Sequence, residues 1–302
     1  MKKVKLVYNP SSGDNRIVNS LNDIITVYQK YDFHVVPHIL KFNPADDEFL
    51  SYTDGNYHHI IAAGGDGTIN YIVNILKSND IDIPIAVLPT GTANDFANLI
   101  GVPTDIIEAC EKNIKGSVRE LDLGKVNDKY FVNVFSCGLF TDVSQKTPTI
   151  MKNTFGKLAY YFSSIGELPN FKKLHLNITA NGKQVYSDSA LIFFVFNGKT
   201  AGNLKIAYLS DIQDGLLDIL LFKGDNIKET IRTVFHYITH NSHKRYPKDI
   251  IHVKSDDITI TSAGNETTDI DGQTGPHFPL KITCEQGAIK VICPGGELCI
   301  KE

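Results

Sequence analysis

Cysteine is scarce and unpatterned in this 302-residue chain: five residues, Cys110, Cys137, Cys284, Cys293 and Cys299, an odd number with no CxxC pair. That argues against a disulfide framework and a zinc site, and it fits a reducing cytoplasm. A long apolar run is also missing. The longest, Ala190 to Phe196, falls far short of the roughly 18 to 20 residues that a transmembrane helix requires and reads as a buried strand. At the N-terminus, MKKVKLVYNPSSG sets two lysines before only a strand-length apolar run. The run is too short for the h-region of a signal peptide, so no secretion signal is expected. An excess of charge of one sign is absent too. Lys and Arg number 30 against 34 Asp and Glu, a net charge of −4. No global basic field steers the molecule to nucleic acid or anionic lipid, and membrane contact has to be local.

What is present is an ordinary globular composition, 42% hydrophobic and 21% charged with 23 Gly and 12 Pro. At about 150 residues per domain the length suggests two domains. The first 120 or so residues repeat an apolar strand, a Gly-containing loop and an amphipathic helix, the signature of a parallel α/β sheet. In the first copy Val4, Leu6 and Tyr8 end a strand, residues 9–13 turn, and Ile17, Leu21, Ile24, Ile25 and Tyr28 mark a helix. In the second, Ile60 to Ala63 runs into Gly64-Gly65-Asp66-Gly67-Thr68. Ile69, Ile72, Val73 and Leu76 follow at helical spacing. In the third, Ile85 to Leu88 meets Pro89-Thr90-Gly91-Thr92, and Asn94 or Asp95 can cap a short helix that Gly101 and Pro103 terminate.

Beyond about residue 121 the rhythm changes to short alternating runs, with an Asn181-Gly182 dipeptide suited to a type I′ hairpin turn. Strands are expected at Tyr130 to Phe135, Leu174 to Thr179, Ala190 to Phe196, Leu216 to Phe222, Asp257 to Thr261 and Pro279 to Cys284. Helices are expected near Lys157 to Leu168 and from an Asp225 cap to about His240. This gives an α/β domain over 1–124, with residues 290–302 packing back on it, and a β-rich domain over 125–289. The apolar stripe of Phe155, Leu158, Tyr161 and Phe162 reads more readily as core than as a bilayer contact. Lys172-Lys173 reads as a solvated pair.

Three glycine loops at the carboxyl ends of parallel strands would open on one edge of the sheet, where α/β folds bind ligands. Gly64, Gly65 and Gly67 let backbone N–H groups approach an anion while the following helix turns its positive end to the same spot. Asp66 would repel a phosphate unless a cation lies between them, which hints at a nucleotide accompanied by Mg²⁺. One such loop alone is an ordinary tight turn; three together favour phosphate binding. No GxxxxGK[ST] occurs, GxGxxG is not completed after Gly65, and protein-kinase HRD and DFG motifs are missing.

Asn9-Pro10 with Gly13, Gly64 to Thr68, Pro89 to Ala97 and Asp269-Ile270-Asp271-Gly272 together resemble the soluble diacylglycerol kinase family of lipid kinases, related to sphingosine, ceramide and NAD kinases. Asp122-Leu123-Gly124, Phe131 to Asn133, Asn197-Gly198 with Gly202, and Asp214 to Asp218 follow in family order, so the resemblance spans nearly the whole chain. It implies an α/β nucleotide domain, a C-terminal β-sandwich, and ATP-dependent phosphorylation of a lipid hydroxyl in the cleft between them. It places ATP at Asn9, Pro10, Ser11, Ser12, Gly13, Gly64, Gly65, Asp66, Gly67, Thr68, Ile69, Asn70 and Thr92. Asp66, Asp95 and Asp122 match acidic positions around catalytic Mg²⁺, and Asp211, Asp214 and the Leu216 carbonyl match a structural Mg²⁺ site. By residue type alone, Asp95 is equally a helix cap, Asp122 a strand-end turn, and Asp214-Gly215 an ordinary turn.

One departure stands out. Where bacterial relatives have Asp-Gly-Glu, with the Glu as general base, this chain has Asp271-Gly272-Gln273. An amide orients a hydroxyl but holds no proton at neutral pH, so Asp271, two positions away on what would be the same strand face, is the candidate substitute. The expected function is a cytoplasmic lipid kinase that visits the membrane to phosphorylate a diacylglycerol-like lipid. The alternatives are a nucleotide- and lipid-binding protein with weakened or lost catalysis, or a different acceptor such as phosphatidylglycerol, a sphingoid base or a prenol. By resemblance alone a homodimer is expected.

Overall fold

The computed structural model describes residues 2–13, 15–43, 57–138, 173–223, 229, 233, 237, 246–264 and 266–295. The helix expected near Lys157 to Leu168, the 155–162 stripe, Lys172 and Cys299 lie outside these residues, as does most of the segment from Asp225 to His240. Within that segment Glu229, Thr233 and Tyr237 are helical. The chain divides into two compact units, Met1–Leu121 with Gly287–Glu302, and Asp122–Gln286.

The first unit follows the strand–loop–helix rhythm. Its elements are β1 (Lys2–Tyr8), α1 (Arg16–Asn19), α2 (Leu21–Lys30), β2 (Phe33–Ile39), β3 (Tyr57–Gly64), α3 (Asp66–Ser78), β4 (Ile85–Pro89), α4 (Asp95–Leu99) and α5 (Ile106–Lys115). β1 lies between β2 and β3, and β4 pairs with β3, every pair parallel. Near-continuous burial along β1, β3 and β4 is what a parallel sheet covered on both faces demands. Ile69, Ile72, Val73 and Leu76 turn one face of α3 into the core, as their spacing predicts. α5 lies outside the helices expected from the sequence. Asp105 opens it by accepting the Glu108 N–H at 2.9 Å, and Asn113 binds it to β4 through the Val87 carbonyl at 2.8 Å.

The chain leaves this unit within β5 (Ser117–Val126). The second unit then holds β6 (Lys129–Phe131), β7 (Val134–Gly138), β8 (Leu174–Ala180), β9 (Lys183–Phe196), β10 (Thr200–Ala201), β11 (Leu204–Lys205), β12 (Leu217–Lys223), β13 (Ile250–Ser255), β14 (Asp257–Ser262), β15 (Thr268–Ile270) and β16 (Gln273–Thr274). The chain re-enters the first unit within β17 (Leu280–Cys293), whose Val291 pairs in parallel with Ile85 of β4. β9 is the spine of the second unit, pairing antiparallel with β7, β8 and β12. Its apolar half is buried on both faces. Phe193 and Val195 join one core cluster with Phe135, Ile219 and Ile258, whereas Ile192, Phe194 and Phe196 join another with Leu220 and Tyr237. Asn181 and Gly182 take φ values of 50° and 71°, the type I′ turn their identities predict.

Three expectations change in detail. The strand expected over Tyr130 to Phe135 is interrupted at Val132–Asn133, because the N–H groups of Val132, Asn133 and Val134 bond to the Asp271 carboxylate. The helix expected over Ile17 to Tyr28 breaks at Ser20 into α1 and α2. Asn94 precedes α4 with φ 54° but makes no side-chain cap; its amide is used elsewhere.

Candidate active site

In the first unit, three loops at the carboxyl ends of β1, β3 and β4 meet. Gly13, at φ 57°, lies so close to the third loop that a Cβ there would stand 2.0 Å from the Thr90 carbonyl oxygen. Thr90 also donates its hydroxyl to Ser12 Oγ at 3.1 Å and its N–H to the Gly64 carbonyl at 3.1 Å. The first loop is shaped by Asn9, whose Oδ1 accepts the Ser11 N–H at 3.0 Å and whose N–H reaches the Ala63 carbonyl at 3.2 Å. Asn94 closes the third loop on itself, accepting from the Gly91 N–H and donating to the Gly91 carbonyl, both at 2.8 Å. Thr92 is exposed at the tip.

Asp66 fastens this assembly from the other side. α3 begins at Asp66, directly after β3 and Gly65. The Asp66 carboxylate accepts the Asp95 N–H at 3.1 Å and the Phe96 N–H at 2.9 Å, joining the starts of α3 and α4. Burial pushes the Asp66 carboxyl above the ordinary carboxylate range; the Phe96 N–H pulls it down and the nearby Asp95 charge pushes it up again. Asp95 itself is buried. Gly65, Asp66 and Gly67 form the half-buried lip of the loop. Thr68, Ile69 and Asn70 turn inward with at most 5% exposure, and the Thr68 and Ile69 N–H groups bond to the Gly65 carbonyl at 2.9 and 3.1 Å. The Ile69 side chain is thus turned into the core, and its place in the loop is that of a backbone position.

In the second unit, Asp271 and Gly272 form the turn between β15 and β16 with φ values of 48° and 86°. Asp271 thus does not share a strand face with Gln273, contrary to the expectation. Its carboxylate accepts three backbone N–H groups, from Val132 at 2.7 Å, Asn133 at 3.0 Å and Val134 at 2.9 Å. Such a carboxylate braces a backbone bend and is badly disposed to act as a base. Gln273 is exposed at the start of β16. Asp122 is buried, and its Oδ2 accepts the Gly215 N–H at 2.7 Å.

Two further residues complete this network, neither of them given a site role from the sequence. Asn197 lies fully buried just after β9 and donates Nδ2 to the Asp122 carbonyl at 2.8 Å and the Val132 carbonyl at 2.9 Å. It joins the Asp122 strand to the segment that Asp271 holds. The Asn197-Gly198 pair was a visible motif, but nothing in its spacing disclosed these partners. The other is Lys254 on β13, a position without any sequence signal. Its ammonium donates to Asp214 Oδ2 at 2.6 Å and lies 3.4 Å from Asp218 Oδ2. Asp211 and Asp214, expected with Leu216 to hold a structural Mg²⁺, direct their Oδ1 atoms at their own turn, to the Gln213 N–H at 3.1 Å and the Leu216 N–H at 3.0 Å. With Lys254 on the remaining Asp214 oxygen, the donor set does not fit a resident divalent ion. Among the described residues, no three His, Cys, Asp or Glu side chains are grouped to hold a metal.

Comparison with known proteins bears on the family and the fold. The family model for the diacylglycerol kinase catalytic domain matches residues 3–126, and that for the YegS C-terminal NAD kinase beta sandwich-like domain matches residues 133–293. The diacylglycerol kinase of Staphylococcus aureus strain MRSA252 is 30% identical over 295 residues, covering 97% of this chain and 93% of its own length. A chain from Bacillus anthracis strain Sterne superposes with a TM-score of 0.83 at 30% identity. Another from that strain, described as a diacylglycerol kinase, does so at 0.77 and 29%; each comparison covers 97% of both chains. An Archaeoglobus fulgidus NAD kinase, solved with ATP, shares the fold at a TM-score of 0.52 and 15% identity over 98% of this chain and 94% of its own. An N-terminal catalytic domain followed by a β-sandwich-like domain defines the architecture of a lipid kinase. The chain belongs to the diacylglycerol kinase family.

Proposed function

We propose that the chain transfers the γ-phosphoryl group of ATP to the hydroxyl of a diacylglycerol-like lipid at a membrane surface. The observation that carries this reading is the meeting of the 9–13, 64–67 and 90–94 loops on one rim, with Gly13 against Thr90 and Gly65 against Gly91. Their backbone N–H groups and the N-terminal end of α3 suit a triphosphate, which phosphoryl transfer chiefly needs to have positioned and neutralised. Mg²⁺ enters with ATP as part of the substrate and supplies charge neutralisation. Asp66 and Asp95, two neighbouring carboxylates in a buried setting, are the groups we assign to it. Asp122 keeps the assignment the resemblance gives it, an acidic position around the catalytic Mg²⁺. No helix among the described residues is long and apolar enough to cross a membrane.

A second reading has a specific observation in its favour. Gln273 stands where relatives carry a base, and the Asp271 carboxylate is already engaged by three backbone N–H groups. On that reading the chain binds nucleotide and lipid with little turnover. Radiolabelled ATP incubated with a panel of extracted lipids distinguishes the two. Labelled lipid from the native chain that is lost in Asp66→Ala supports the kinase and names the acceptor among diacylglycerol, phosphatidylglycerol, sphingoid bases and prenols. No label from the native chain with recovery in Gln273→Glu supports the silent binder. No label from either variant, with ATP binding intact, overturns lipid phosphorylation.

A further inference from the structure

The turn from Asp211 to Leu216 is tied to Asp122 at two points: Gly215 N–H donates to Asp122 Oδ2 at 2.7 Å, and the Asp122 N–H donates to the Ile212 carbonyl at 2.8 Å. Whatever cation neutralises this turn therefore also helps to hold Asp122. Asp214 has one oxygen left after its own Asx turn, and that oxygen receives Lys254 Nζ at 2.6 Å. The same ammonium is 3.4 Å from Oδ2 of Asp218, whose side chain is fully buried and whose Oδ1 is 2.5 Å from His252 Nε2. Asp218 Oδ2 has no hydrogen bond of its own and relies on this charge.

We propose that Lys254 is the built-in cation of the 211–216 turn, its ammonium taking at Asp214 the place a divalent ion would need, so that this chain holds the turn and Asp122 without a bound metal.

The local charge balance agrees with this assignment. Asp214 and Asp218 both act on Lys254, and Asp211 acts on Lys199, which also feels the charges of Lys205 and Lys254. Lys254 is thus the cation that meets both Asp214 and the buried Asp218. A divalent ion at Asp214 would have to displace Lys254, stripping a buried carboxylate of its partner, or else sit beside the ammonium against strong repulsion. Neither arises with a metal-free turn. Asp214 and Lys254 side chains are each 28% exposed, so solvent screens the pair only in part.

The test uses the whole chain without nucleotide, so its outcome is independent of the kinase reading. Mn²⁺ binding is counted by electron paramagnetic resonance for the native chain, Asp214→Asn, Lys254→Met and the double variant. Melting temperature is measured in EDTA and in millimolar MgCl₂. The native chain and Asp214→Asn should bind the same number of Mn²⁺ ions, and native melting should not respond to Mg²⁺. Lys254→Met should gain one site, lose it again when Asp214→Asn is added, and melt higher in Mg²⁺ than in EDTA. A native Mn²⁺ site abolished by Asp214→Asn overturns the proposal. So does a folded Lys254→Met that gains no site. Should Lys254→Met fail to fold, the comparison of the native chain with Asp214→Asn decides.

Discussion

A Cβ placed on Gly91 would stand 2.4 Å from the Cα of Gly65 and 2.9 Å from Asn94 Oδ1. The loops after β3 and β4 touch backbone to backbone, and Gly65 cannot give way as a flexible side chain would. Gly91→Ala should cost about 1 to 3 kcal/mol of stability by overpacking and should weaken ATP binding by about tenfold or more. Urea unfolding and titration calorimetry check the two effects separately. An alanine variant with native ATP affinity would show that the close approach has no part in nucleotide binding.

Asp271 accepts three N–H groups, and the single carbonyl oxygen of an asparagine accepts at most two. Asp271→Asn should therefore lower stability by about 1 to 3 kcal/mol, the cost of a buried donor left without an acceptor. Gln273→Glu, on an exposed residue, should leave the urea midpoint within about 0.5 kcal/mol of native. If the missing base limits turnover, the same substitution should raise kcat by about 10² or more near neutral pH. A parallel set of unfolding curves and steady-state rates reads both.

Asn197→Ala removes the two donor bonds that join Asp122 to Val132 and leaves both carbonyls buried. A loss of about 1 to 3 kcal/mol is expected, and because Asp122 shifts with its strand, kcat should fall more than the KM for ATP rises. Equal changes in both constants would assign Asn197 to general stability alone.

His59 is buried beside His58, and its ring is lowered from 6.5 to about 3, first by burial and then by the charges of His58 and Lys2. The folded state thus refuses a proton that the unfolded chain accepts. Stability from this group is complete above about pH 6.5 and is lost as pH falls toward 3, at up to about 1.4 kcal/mol per pH unit. The lowered His58 adds to the same trend. Urea midpoints at pH 7 and pH 5 should differ less in His59→Phe than in the native chain.

The glycine loops were legible because their chemistry is local: Gly13 and Gly91 each mark a backbone approach that admits no side chain, Gly64 makes room for the Thr68 side chain, and the apolar spacing of α3 names its buried face. The Asn181-Gly182 turn was equally plain. What escaped was long-range pairing. Val132 and Asn133 belong to an apolar run that reads as unbroken strand until Asp271, far along the chain, captures their N–H groups. Lys254 looks like any strand lysine, and only its meeting with Asp214 and Asp218 gives it a role. Asp105 and Glu108 did offer a helix-start signal for α5, three residues apart, that periodicity alone passed over.

The pairing of Val291 with Ile85 means that a segment following the second unit in the chain returns to the first. During synthesis, β4 lacks this neighbour until the whole second unit has left the ribosome. A product that stops short near residue 286 therefore presents a bare sheet margin to other chains. Termination there should yield aggregates rather than a free-standing first unit, which sedimentation of a product ending at residue 286 checks.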